Sequence, residues 1–129
     1  MEEKRIYSVS PAVIVPVGPG LRTIQPYGRQ SAQHAHAVGM VRWEQGRKGL
    51  DYEFTTTILL QCRDSRELIH VAYLLNKAKI SIEMFCDRND SAYGLGVGSI
   101  FTAVATYPVE PKKIFGILDY LPLLGGPTL

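Results

Sequence analysis

Between residues 55 and 107 two hydrophobic periods alternate, and that alternation restricts the possible folds more than any other feature of the chain. Residues 55–62 are β-branched at the start and apolar in the centre, which predicts a strand. Leu68, Val71, Ala72 and Leu75 then fall at i, i+3, i+4 and i+7, one face of an amphipathic helix. Asp64, with Glu67 three residues on, forms a capping-box pattern ahead of that helix. Ile80, Ile82, Met84 and Cys86 alternate with Ser81, Glu83 and Phe85, which is the period of a strand. Residues 100–107 are apolar and contain threonine, a further strand.

The rest of the chain fits the same scheme. Residues 12–15, bounded by Pro11 and Pro16, predict a short first strand, with residues 1–10 as a loose lead-in. Residues 29–45 lack proline and are rich in Ala, Gln and Arg, so they predict a helix with Gly28 near its N-cap. Its small residues Ala32, Ala35 and Gly39 form a stripe that would let the helix lie close against a sheet. Pro111 suits a first helical turn, and Ile114, Ile117, Leu118 and Leu121 repeat the helical spacing until Pro122 stops it. Residues 87–99 read as a glycine-containing loop and residues 125–129 as a flexible tail. Strands alternating with amphipathic helices imply a layered α/β fold with a mostly parallel sheet, the direction of the last strand being open. The 129 residues make one domain, expected over residues 11–124.

Charge and cysteine bound the function. Lys and Arg number 14 against 12 Asp and Glu, a net +2, which permits an anionic partner without calling for one. The two cysteines, Cys62 and Cys86, end apolar runs and read as reduced core residues rather than a disulfide scaffold. No segment reads as a signal peptide or approaches a membrane span of roughly 20 apolar residues. A soluble, cytoplasmic protein with no membrane partner is the expectation.

In an open α/β sheet ligands collect beyond the carboxyl ends of the parallel strands. Arg29, Gln33 and His36 share one face near a helix start, where free N–H groups and the helix dipole favour an anion or a carbonyl oxygen. His34 and His36 lie on different faces and make no metal pair. Gly94, Gly96 and Gly98 precede a strand rather than a helix, so they read as a lid-like segment and not as a nucleotide loop.

The run Gly28-Arg29-Gln30-Ser31-Ala32-Gln33-His34-Ala35-His36-Ala37 resembles the signature of the type 2 peptidyl-tRNA hydrolases, which reads Gly-Lys, small residues, Ala-Gln, then Ala-His-Ala or Ser-His-Ala. The helix start at Ser65 to Leu68, a strand ending in Asp, the spacing Thr102 to Pro108 and the Leu123-Leu124 pair follow in the family's order. The resemblance implies a three-layer α/β/α fold with a four-stranded mixed sheet whose last strand is antiparallel. It implies hydrolysis of the ester joining a peptide to the 3′ end of tRNA, without metal or cofactor, by a homodimer. The family's Lys falls on Arg29, its Gln on Gln33, its His on His36 and its Thr on Thr102. Its Asp falls on Asp87 by strand-end logic, or on Asp90 by counting back from Thr102. In that reading the Asp activates water, Thr102 and Gln33 bond the ester carbonyl or the ribose, Arg29 holds the oxyanion and His36 braces the helix. Arg22 and Arg42, with Arg47 and Lys48, are the candidate phosphate contacts. Arg in place of Lys opens a second reading, a relative that keeps the fold as a binding or regulatory module after losing catalysis.

Overall fold

A computed structural model of the chain describes residues 3–15, 22–49, 55–87 and 100–125. Strands β1 (Ile6–Ile14) and β2 (Thr23–Ile24) precede helix α1 (Tyr27–Arg47). Strand β3 (Thr57–Asp64), helix α2 (Ser65–Lys77), and strands β4 (Ile82–Asp87) and β5 (Ile100–Thr106) follow. The result is a mixed α/β fold with a five-stranded sheet. The strand beyond the expected four is the two-residue β2, too short to show a hydrophobic period.

Strand β1 begins at Ile6, inside the stretch expected to be a lead-in. Its serines disguise it. Ser8 and Ser10 are fully buried, and each has a hydrogen-bonding partner: Ser8 Oγ lies 2.7 Å from His34 Nδ1, and Ser10 Oγ donates to the Thr102 carbonyl at 2.9 Å. Pro11 lies past the Ser8 and Val9 pairs with β5, so its missing N–H removes no bond from that ladder.

Strand β1 pairs in parallel with β3 along one edge and antiparallel with β5 and β2 along the other. β4 is outermost, antiparallel to β5. The expectation of a mostly parallel sheet is corrected here: β5 runs against its neighbours and is inserted between β1 and β4, leaving β1–β3 as the parallel pair.

Alternate residues feed two apolar clusters. Tyr7, Val9, Leu60, Cys62 and Val104 pack with Leu68, Val71, Ala72 and Leu75 of α2, the four positions that the sequence period picked out. Ile6, Ala103 and Ala105 pack with Ala37 and Val41 of α1. Asp64 caps α2 by accepting from the Glu67 N–H at 2.9 Å. The small-residue stripe of α1 does not meet the sheet: Ala32, Ala35 and Gly39 are exposed. Gln30, Gln33, His34 and Gln45 are buried on the inward face with Ala37 and Val41. Helix α1 also starts earlier than expected, at Tyr27 after Pro26, with no side-chain cap.

Among the described residues no α-helix forms after β5. Residues Pro111–Ile114 make one 3₁₀ turn, and Phe115 is then extended at φ −62° and ψ 134°. Gly116 follows at φ +81°, and the Ile117 N–H donates to the Ile114 carbonyl at 3.0 Å. That is a type II turn, which requires a residue tolerant of positive φ at its third position. Ile114, Leu118 and Leu121 are buried all the same, so the spacing located the inward residues and mistook the backbone. The two backbones give opposite signs for one substitution. Gly116→Ala is expected to destabilise the protein by about 1–2 kcal/mol, whereas an α-helix would gain about 1 kcal/mol from it. The urea midpoint of the variant measures which holds.

Candidate functional site

The sheet brings three sequence-distant groups together through an irregularity in β5. Along β4 and β5, Phe85 lies opposite Ala103 and Cys86 opposite Phe101, so Thr102 is an extra residue, a β-bulge. Beyond Ala103 the strand alternates, with Ala105 facing α1 and Val104 facing α2. The bulge breaks that alternation and turns Thr102 to the α1 side as well, where its hydroxyl donates to Gln33 Oε1 at 2.9 Å. Its displaced carbonyl is the one that Ser10 Oγ bonds.

Gln33 links the strand ends. Its Nε2 donates to Asp87 Oδ2 at 3.0 Å. An ionised carboxylate can only accept, so the amide must present nitrogen to Asp87 and oxygen to Thr102, and the Thr102 hydroxyl must be the donor. Thr102 is fully buried and Gln33 nearly so, while Asp87 is half-buried at the end of β4. Burial around a hydrogen-bonded carboxylate holds it in one orientation at the edge of solvent, which suits a proton acceptor.

A second polar layer supports this chain. Gln25 Nε2 donates to the Pro11 carbonyl at 2.7 Å and reaches Ser10 Oγ at 3.4 Å. Gln30 Nε2 donates to the Gln25 carbonyl at 2.9 Å and to Gln61 Oε1 at 3.1 Å. The sequence reading missed these residues. Ala37 and Val41, stepped back by helical turns, lead to Gln33, His34 and Gln30, so the inward face of α1 was traceable from its two apolar members.

The other expected residues divide into two groups. Arg29 is half-buried one turn before Gln33, and His36 is exposed one turn after it. The His36 ring stacks on Phe85 of β4, centroids 4.5 Å apart and planes at 24°, so it braces α1 against the edge strand. Arg22 is exposed just before β2, at the same end of the sheet. Arg42 lies elsewhere: its Nη2 donates to the Thr55 carbonyl at 3.3 Å, ahead of β3 and at the opposite end. Arg47 is paired with Glu44, and Lys48 sits 5.9 Å from the Tyr107 ring, also at that far end. Asp90 and the glycines 94, 96 and 98 lie outside the described residues. Among the described residues no group of His, Cys, Asp and Glu could hold a metal ion, both cysteines are free, and no helix is long and apolar enough to cross a membrane.

No family model matches the chain, and no curated protein matches it. Among solved structures it is similar to a protein of unknown function, Atu0240 from Agrobacterium tumefaciens strain C58, with a TM-score of 0.60 and 9% identity. The alignment covers 95% of this chain and 98% of that one. The two chains share a fold. At this identity the likeness carries the architecture alone.

His34 gives this region a pH dependence. Its ring is buried between Ser8 and the Leu60 backbone, and loss of solvent pushes its pKa from 6.5 down to about 4, against a weaker upward pull from Leu60. The folded protein therefore holds His34 neutral while the unfolded chain takes up a proton as pH falls through 6.5. Stability is full above that value and declines towards pH 4. A loss of about 2 kcal/mol is expected between pH 7.5 and pH 5, read from urea midpoints, and His34→Asn should flatten the slope.

Proposed function

We propose that this chain is a hydrolase of the ester that joins a peptide to the 3′ end of tRNA, in a three-layer α/β/α fold of the type 2 peptidyl-tRNA hydrolase kind. The observation that carries the reading is the Thr102–Gln33–Asp87 hydrogen-bond chain at one end of the sheet. It joins three of the residues that the family resemblance selects, from three separate elements. The two apolar clusters, one under each helix, support the layered arrangement.

Asp87 is the general base. It takes a proton from a water whose oxygen attacks the ester carbonyl carbon. Arg29 holds the oxyanion that forms. The bond between carbonyl carbon and ribose oxygen then breaks, the electron pair leaves on that oxygen, and the proton held by Asp87 passes to it. The products are a peptide acid and tRNA with a free terminal hydroxyl. Gln33 and Thr102 are positioning residues, since their hydrogen bonds to one another and to Asp87 aim that carboxylate. Arg22 is the cation assigned to a tRNA phosphate. Arg42, tied to the Thr55 carbonyl at the far end, is not assigned to substrate. A tRNA-linked substrate places the reaction in the cytoplasm, where free thiols such as Cys62 and Cys86 persist.

Purified protein is expected to release peptide from N-acetylalanyl-tRNA. Asp87→Asn should lower kcat/KM by about 10²–10⁴-fold, the usual scale of general-base catalysis. Thr102→Val should lower kcat with KM held, as expected of a group that aims the base. Activity kept in Asp87→Asn and lost in Asp90→Asn would move the acid to the other position. A silent wild type that gains turnover on Arg29→Lys would assign the chain to relatives that have lost catalysis.

A further inference from the structure

The two outer edges of the sheet are treated differently. Beyond β3, the chain supplies its own cover: the Gln61 N–H donates to the Pro122 carbonyl, and the Leu124 N–H to the Leu59 carbonyl, both at 2.9 Å. Beyond β4, the described residues supply no further strand. An open strand edge is a row of backbone donors and acceptors that fits another extended chain.

That edge forms one side of a groove of about 680 Å³ whose other wall is α1. Ala35 and Gly39 face into it, and Met40 and Trp43 continue the wall. A Cβ added at Gly39 would meet no atom within 4 Å, so the small residues leave room rather than pack. Phe85 and Cys86 line the strand side, two residues and one residue from Asp87, and the stacked His36 stands at that end. At the other end Glu83 carries a carboxylate whose bonded partner is the neutral Tyr107 hydroxyl, at 2.7 Å. Glu44 also lines the groove and is neutralised by Arg47 and Lys48; among the described residues no Lys or Arg lines it.

We propose that this groove binds the peptide arm of the ester as a strand added to β4, with its ester end at Asp87 and its free α-ammonium towards Glu83. This rests on the hydrolase reading for the identity of the arm. The edge of β4, which no described strand covers, asks for an extended backbone, and the groove ends beside the Gln33–Asp87 pair. The residual charge of its described lining is negative, which suits an ammonium and repels an RNA phosphate. At about 3.3 Å per residue, Glu83 to Asp87 spans roughly 13 Å, so selectivity should level off at an arm of about four residues.

Trp43 is the chain's single tryptophan and lies in this groove, so its emission reports occupancy. Titration with the free peptide Ala-Val-Thr-Ala is expected to shift that emission and to show at least tenfold tighter binding than N-acetylalanine. N-terminal acetylation of the peptide should weaken binding severalfold in the wild type and leave Glu83→Gln indifferent. Gly39→Leu, checked for fold by circular dichroism, should weaken the peptide at least tenfold by filling the groove. Equal binding of the peptide and N-acetylalanine, or an unmoved Trp43 emission, overturns the assignment. So does displacement of the peptide by a single-stranded CCA oligonucleotide. An emission shift on concentrating the protein alone, with a dimer in sedimentation, gives the groove to a second copy and overturns it too. The hydrolase reading fails separately: peptide binding with no release from N-acetylalanyl-tRNA supports the groove and removes the enzyme.

Discussion

The amide of Gln33 is the joint on which the candidate site depends. It is buried between a hydroxyl and a carboxylate, with its oxygen accepting from Thr102 and its nitrogen donating to Asp87. A buried amide stripped of one partner loses about 1–3 kcal/mol, so the three groups fix one another's orientation. The joint closes only because β5 carries a bulge. Without the extra residue at Thr102, strict alternation from Ala103 would turn that hydroxyl to the α2 side, and Gln33 Oε1 would lose the Thr102 bond.

The two faces of the sheet therefore do different work. Under α2 the contacts are aliphatic, with Leu68, Val71 and Leu75 fully buried against β1, β3 and β5. Under α1 the apolar contacts are few and small, and Gln30, Gln33 and His34 fill the space that larger aliphatics would take. An aliphatic layer holds by area, without direction. A hydrogen-bonded layer holds by direction and tolerates little displacement. The α2 face supplies stability on which the directional α1 face can rest, and the candidate chemistry is on the latter.

This division explains what could be read from the residues alone. Helix α2 and its cap were legible, because an aliphatic face announces its period and Asp64 with Glu67 announces its start. Strands β3, β4 and β5 were legible to within a few residues for the same reason. The inward face of α1 was not, since glutamine and histidine carry no hydrophobic period, and of the small residues that looked like a packing stripe Ala35 and Gly39 line a groove instead. The start of β1 was hidden by Ser8 and Ser10, which reach the interior by hydrogen bonding. Gln33, Thr102 and Asp87 were found through the resemblance and the strand end. The order of hydrogen bonds that joins them was not legible, because it turns on the bulge, a single extra residue that leaves no mark on composition.

Strand direction and the site are one fact. Thr102 lies near the beginning of β5 and Asp87 at the end of β4, and the beginning of one strand meets the end of its neighbour only if the two are antiparallel. A β5 parallel to β4 would carry Thr102 to the end of the sheet where α1 finishes, away from Gln33. The same reversal lets β5 pair antiparallel with β1, which sets Ser10 beside the displaced Thr102 carbonyl. The parallel strands β1 and β3 contribute the usual open end, and the reversed strand contributes the hydroxyl that aims the carboxylate there. The mixed sheet is thus a requirement of this arrangement of groups: an all-parallel sheet of the same strands would keep the helices and lose the joint.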